Sequence, residues 1–221
     1  MANNSVKSIT DFKKKAYLIQ ELISTSYHEA GHTIYGLLRC MKIECVYVFE
    51  DKKIKRINGF TYYNSPTLEK IKDFTLLSDR INAEIGLAYS GLIAEKYYFK
   101  IGSGSERFPI FLRQGSSNDT YFASKIIKKY NLSPSGKKRF LFKKKIIKDV
   151  QQELQENWNA VILVAHALFK NKKLSYLELK ELLTKKASNK EFWKKQFEAI
   201  SYQYDNASTL EEKDFKYMLG I

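Results

Sequence analysis

At 221 residues and 44% hydrophobic content the chain can bury a sizeable core, and one domain with a helical extension is the simplest organisation. No stretch approaches the roughly 18 uninterrupted apolar residues of a membrane span, and Met1 to Lys15 is polar and basic without an apolar signal core, so an unexported, cytoplasmic protein with no membrane span is expected. The formal charge of +14 raises nucleic acid as a partner, but only six of the 38 cations are arginine, the better bidentate reader of phosphate, and nucleic acid is not the expected partner.

From about Thr10 to Met41 apolar residues recur at spacings of three and four (Ile19, Leu22, Ile23, Ala30, Ile34, Leu37, Leu38), which predicts a helix. Cys40 and Cys45 follow at a spacing that suits neither a redox pair nor a zinc ribbon, so both are expected to be free thiols. Ile43 to Phe49 and Ile57 to Tyr63 are β-branched and aromatic, and the polar Glu50 to Arg56 segment between them predicts a hairpin or longer loop. Asn64, Ser65 and Pro66 close the strand region. A second helix is predicted over Leu76 to Phe99, with Ile81, Ile85, Ala88, Leu92 and Ile93 on one face, followed by a loop rich in Gly and Ser over Gly102 to Ser117. Ser117 or Asn118 can cap a third helix reaching about Tyr130, and Asn131 to Gly136 reads as a turn. Phe140 to Asn171 predicts one long helix or two abutting ones, and the basic run Lys137 to Lys148 gives it a charged face. Two shorter helices are predicted around Tyr176 to Lys185 and Lys190 to Tyr202. The fold class is mainly α with a small β element between the first and second helices.

His28-Glu29-Ala30-Gly31-His32 matches the pattern H-E-x-x-H. Positions i and i+4 share one helix face, where two imidazoles can bind one Zn²⁺, and the Glu after the first His can accept a proton from a water on the metal's open position. The pattern therefore predicts His28 and His32 as ligands, Glu29 as general base and hydrolysis of a peptide bond as the reaction. A chance pentapeptide on an amphipathic helix is the competing explanation, and it is the weaker one in a chain with only three histidines.

A catalytic zinc site needs a third protein ligand. Two carboxylates are candidates: Asp119 at the start of the third helix, and Glu95 near the end of the second. Asp119 has an alternative role as a carboxylate opposite a helix dipole. His166, on the late helix, reads as an ordinary packed or surface histidine.

The chain resembles the peptidase domain of the FtsH-type membrane AAA metalloproteases. His28 to His32 stands as that family's HEAGH, Ile43 to Val48 and Ile57 to Tyr63 with Gly59 resemble its strand pair, and Tyr89-Ser90-Gly91-Leu92-Ile93-Ala94-Glu95 resembles its GGRAAE segment. Gly115-Ser116-Ser117-Asn118-Asp119 resembles its GASND, and Tyr130-Asn131-Leu132-Ser133 echoes its GMS. The likeness covers about residues 20 to 186. It implies Asp119 as the third zinc ligand, Glu95 as a residue orienting a ligating histidine, and an FtsH-peptidase-like helical zincin domain. The departures are Leu92 and Lys96 in place of the family's Arg and Glu, a longer Gly102 to Gly115 segment, and no G-x-x-x-x-G-K-[ST] loop, so ATP hydrolysis by that route is not expected of this chain.

The expected organisation is a basic lead-in over 1–15, a metallopeptidase domain over 16–186 and a C-terminal helical extension over 187–221. The expected substrate is a peptide or unfolded polypeptide, arriving freely or from a separate ATPase, and added as a strand along the edge formed by Gly59, Phe60, Thr61 and Tyr62. Two alternatives belong to other classes: a metal-binding or adaptor protein of the same fold without useful turnover, and a basic binder of nucleic acid or an acidic partner through Lys137 to Lys148.

Overall fold

The computed structural model describes residues 2–53, 56–64, 74–99, 117–132 and 136–219, with side chains described for 13–53, 56–64, 76–99, 118–132 and 136–204. Residues 102–116 of the expected loop over Gly102 to Ser117, the Ser65-Pro66 end of the strand region and the turn residues Ser133 to Ser135 lie outside the described residues, and Ser117 belongs to a helix. Those described are mainly helical. In chain order they form α1 (Ala2–Leu38), β1 (Lys42–Asp51), β2 (Arg56–Asn64), α2 (Phe74–Tyr98), α3 (Ser117–Lys129), α4 (Gly136–Glu156), α5 (Trp158–Asn171), β3 (Lys173–Ser175), α6 (Tyr176–Lys186) and α7 (Lys190–Leu219).

α1 begins earlier and ends earlier than its periodicity predicts. Its end is set by Cys40, which takes the left-handed conformation at φ 54°, while the Met41 N–H donates to Gly36 O at 2.9 Å and closes the last turn. That conformation usually falls to glycine, so a side chain here costs about 1–2 kcal/mol. The Gln196 amide steadies the same corner by donating to Leu37 O at 2.6 Å.

The three strands are ordered β2-β1-β3, with both pairings antiparallel. β3 is a three-residue strand that sequence periodicity did not predict; Leu174 pairs with Val46 across it. A bulge at Glu44 shifts the register between Ile43 and Cys45, and as a result Ile43, Val46 and Val48 all turn inward although their spacing is not strictly two. β2 is an outer strand of this sheet, as the order requires.

From Tyr27 to Leu37 nearly every residue of α1 is buried, as expected of a helix enclosed on all sides. α2, α5 and the β-hairpin surround it. Gly31 sets the approach of α2, because a Cβ there would lie 2.5 Å from Ser90 O. Ile34, Leu37, Ile85 and Leu168 are fully buried and each contributes roughly 1.5–3 kcal/mol through removal from water. The predicted Phe140 to Asn171 helix is two helices, divided at Asn157, where φ −108° and ψ 21° break the α conformation. α7 packs into the body of the protein, with Trp193, Phe197 and Ile200 fully buried and the Phe197 ring 5.5 Å from that of Tyr176.

Candidate metal centre

The close crossing of α1 and α2 determines what stands at the centre. His28 and His32 lie one turn apart on the buried stretch of α1 and face Gly91 of α2, where an added Cβ would lie 2.6 Å from Nε2 of each imidazole. Only a residue without a side chain leaves the two rings their room. α3 then brings Asp119 from the far side, so one helix supplies two nitrogens and another the carboxylate.

The three donor atoms form a small triangle. His28 Nε2 lies 2.9 Å from His32 Nε2 and 3.0 Å from Asp119 Oδ2, and His32 Nε2 lies 3.5 Å from the same oxygen. Ligands about 2.0–2.1 Å from a tetrahedral zinc stand about 3.3–3.4 Å from one another, so the 3.5 Å separation matches that spacing and the other two are somewhat shorter. This group of two buried histidines and a half-buried aspartate can hold a metal ion.

Each ring is fixed from behind. His32 Nδ1 donates to Leu87 O at 2.7 Å; a carbonyl only accepts, so the proton is on Nδ1 and the Nε2 lone pair faces the cluster. His28 Nδ1 donates to Glu95 Oε2 at 3.1 Å, and the Ser24 hydroxyl holds the other oxygen of Glu95 at 2.6 Å. Glu95 therefore meets the outer nitrogen of His28 and Asp119 the inner one. This is the arrangement in which a carboxylate orients a metal-binding imidazole.

Burial opposes charge on His28, but Glu95 and Asp119 outweigh it and hold the imidazole well above its ordinary value. Burial also opposes ionisation of Asp119, yet its hydrogen bonds to His28 and His32 hold the carboxyl far below its usual range. Metal and proton thus compete for one place, as coordination by neutral imidazole requires.

Glu29 stands beside this triangle with its backbone on the same helix. Burial pushes its carboxyl above the ordinary glutamate value, against the pull of His32, His28 and the Thr61 hydroxyl. Thr61 Oγ1 donates to Glu29 Oε2 at 2.6 Å. Gly59 gives the same carboxylate space, since a Cβ there would lie 2.4 Å from Glu29 Oε1. Two cavities of about 690 Å³ and 400 Å³ meet here, both lined by His28, Glu29, Gly59, Phe60 and Asn118. The larger continues past Glu21 and Arg56, and the smaller past Leu87, Ala88 and Phe122.

Of the expected strand edge, Gly59, Phe60 and Thr61 line the cleft, whereas Tyr62 is exposed and lines neither cavity, its ring stacked on that of Phe60 at 6.4 Å. His166 is exposed and borders a separate small cavity beside Tyr27 and Tyr98. Sequence reasoning gave no part to Ser24 or Leu87 O, gave Ser90 and Gly91 none beyond membership of a matching segment, and gave Asn118 only a helix cap and a place in the segment that resembles GASND. Nothing in their local sequence marks them: Ser24 meets Glu95 across 71 residues. No protein-family model matches the chain, and no curated protein matches it significantly. Among the described residues no helix is long and apolar enough to cross a membrane.

Proposed function

We propose that the chain is a zinc-dependent endopeptidase of the FtsH peptidase type, acting without ATP hydrolysis of its own on peptides or unfolded segments. The observation that supports it best is the convergence of His28 Nε2, His32 Nε2 and Asp119 Oδ2 within 3.5 Å of one another, beside a buried glutamate at the junction of two clefts. His28, His32 and Asp119 would hold the metal. A zinc ion bound there acts as a Lewis acid towards a carbonyl and lowers the pKa of a bound water towards about 7. Glu29 takes the proton of the attacking water and returns it to the departing amine, while Thr61 holds the other side of its carboxylate in place. β2, as an outer strand, offers backbone groups to an extended substrate, and Gly59 lets that strand pass close to Glu29.

The test combines metal analysis with turnover of an unstructured peptide. About one zinc per chain is expected, lost in His28→Ala and His32→Ala. Glu29→Gln should keep zinc and lose hydrolysis. Turnover that survives a chelator or Glu29→Gln would overturn the mechanism, and zinc binding without turnover in the wild type would favour the metal-binding adaptor.

A further inference from the structure

α4 opens with Lys137-Lys138-Arg139-Phe140-Leu141-Phe142-Lys143-Lys144-Lys145-Ile146-Ile147-Lys148, seven cations and no acid in twelve residues. Its inner stripe is Ile146, Val150 and Leu154, all buried. The other side faces water, and it is not purely polar. Phe140 is 65% exposed and Leu141 54% exposed, one helical turn from both Lys137 and Lys144, so apolar bodies are interleaved with ammonium groups on one face. Six residues separate the end of α3 from the start of α4, and α3 carries the exposed Lys125 and Lys128, with Tyr121 64% exposed beneath the Lys125 ammonium at 5.4 Å. Lys143 Nζ donates to Ser124 Oγ at 3.3 Å and links α4 to α3.

We propose that this α3–α4 corner docks the protein on the surface of an anionic lipid bilayer, lysines against the headgroups and Phe140 and Leu141 immersed at the acyl boundary. Charge complementarity selects an anionic partner, and the apolar residues select lipid among such partners. Large exposed apolar side chains ringed by lysine are the composition of helices that lie in a membrane interface. Nucleic acid would leave Leu141 without a base to stack on and would be read by a run containing one arginine. The surface does not depend on the peptidase chemistry.

The experiment is flotation of the full chain with vesicles of phosphatidylcholine alone or mixed with phosphatidylserine, at low and physiological salt. Binding is expected on the mixed vesicles, not on the neutral ones, and it should weaken with salt. Lys137→Glu with Lys138→Glu should lower the apparent affinity roughly tenfold or more. Phe140→Trp reports immersion directly: the emission of the introduced indole should shift blue and resist aqueous quenchers on mixed vesicles. Equal or absent binding to both vesicles, a charge-reversed pair that binds like wild type, or an introduced indole whose emission stays water-like would each overturn the proposal. So would tighter binding to an oligonucleotide or to polyglutamate at the same salt. Circular dichroism matching wild type establishes that the exposed substitutions leave the fold intact.

Discussion

The Thr61 hydroxyl donates to Glu29 Oε2 at 2.6 Å, joining the outer strand of the sheet to the carboxylate beside the metal-binding group. A hydrogen bond to a charged group is worth about 1.5–3 kcal/mol. If it positions Glu29 for proton transfer, Thr61→Val should lower kcat roughly 10- to 100-fold with little change in KM, and Thr61→Ser should restore most of it. Peptide kinetics on the three forms decide this, and an unchanged kcat in the valine variant would remove Thr61 from the machinery.

Two glycines give the site its space in different ways. A Cβ at Gly91 would meet both imidazoles, whereas the atoms nearest to one at Gly59 belong to the Glu29 side chain. Gly91→Ala is therefore expected to lose zinc, and Gly59→Ala to retain zinc and lose turnover. Metal content and peptide hydrolysis of each variant check the pair; zinc retained at wild-type affinity in Gly91→Ala would mean that the rings have other room.

Asp119 meets the inner nitrogen of His28 and Glu95 the outer one. Asp119→Asn, which removes a charged ligand, should weaken zinc affinity more than Glu95→Gln, for which a loss of roughly 10- to 100-fold is expected through poorer orientation of His28. Competition against a chromophoric chelator measures both. The reverse order would make Glu95 the more important carboxylate.

Trp193 is fully buried in α7, and its indole N–H has no hydrogen-bond partner among the described residues. Trp193→Ala should cost about 3–5 kcal/mol through the cavity it leaves. Trp193→Phe should cost far less, since it removes an unsatisfied donor with only part of the volume. Denaturant unfolding of both variants tests whether α7 belongs to the cooperative core, and a small effect of the alanine would show that it does not.

At the start of α6 the Ser175 and Glu178 side chains cap each other's backbone. The bonds from the Ser175 backbone and hydroxyl hold the Glu178 carboxyl below its ordinary value. A depressed folded value contributes stability above the ordinary glutamate pKa and loses it as pH falls through the depressed one. Glu178→Gln should thus be less stable than wild type at neutral pH and equal to it in acid. Thermal unfolding at both pH values checks this; a gap that does not change with pH would show that the charge is irrelevant.

The local elements and half of the site were legible in the order of residues alone. Apolar periodicity gave the helices and the hairpin because side chains at spacings of three and four, or of two, must share a buried face whatever lies opposite. The spacing of His28 and His32 did the same for chemistry, since one helical turn puts two imidazoles side by side without help from elsewhere. Asp119 could be named only through a resemblance, with Glu95 equally open on the residues alone, because 87 and 91 residues separate it from its two partners and no local rule fixes such a distance.

Which carboxylate meets which nitrogen is set by packing between distant segments. The crossing of α1 on α2 at Gly31 and Gly91 depends on missing side chains, which leave no signal in a hydrophobic pattern. The same holds for Ser24, Leu87 O and Thr61, whose roles come from atoms brought within hydrogen-bond reach by packing. β3 is three residues long, too short for any periodicity, and exists because α5 delivers Lys173 to Ser175 against β1. The last helix lies beyond the stretch the resemblance covers, and its place against the core comes from Trp193, Phe197 and Ile200, which fall on one side of it and are fully buried.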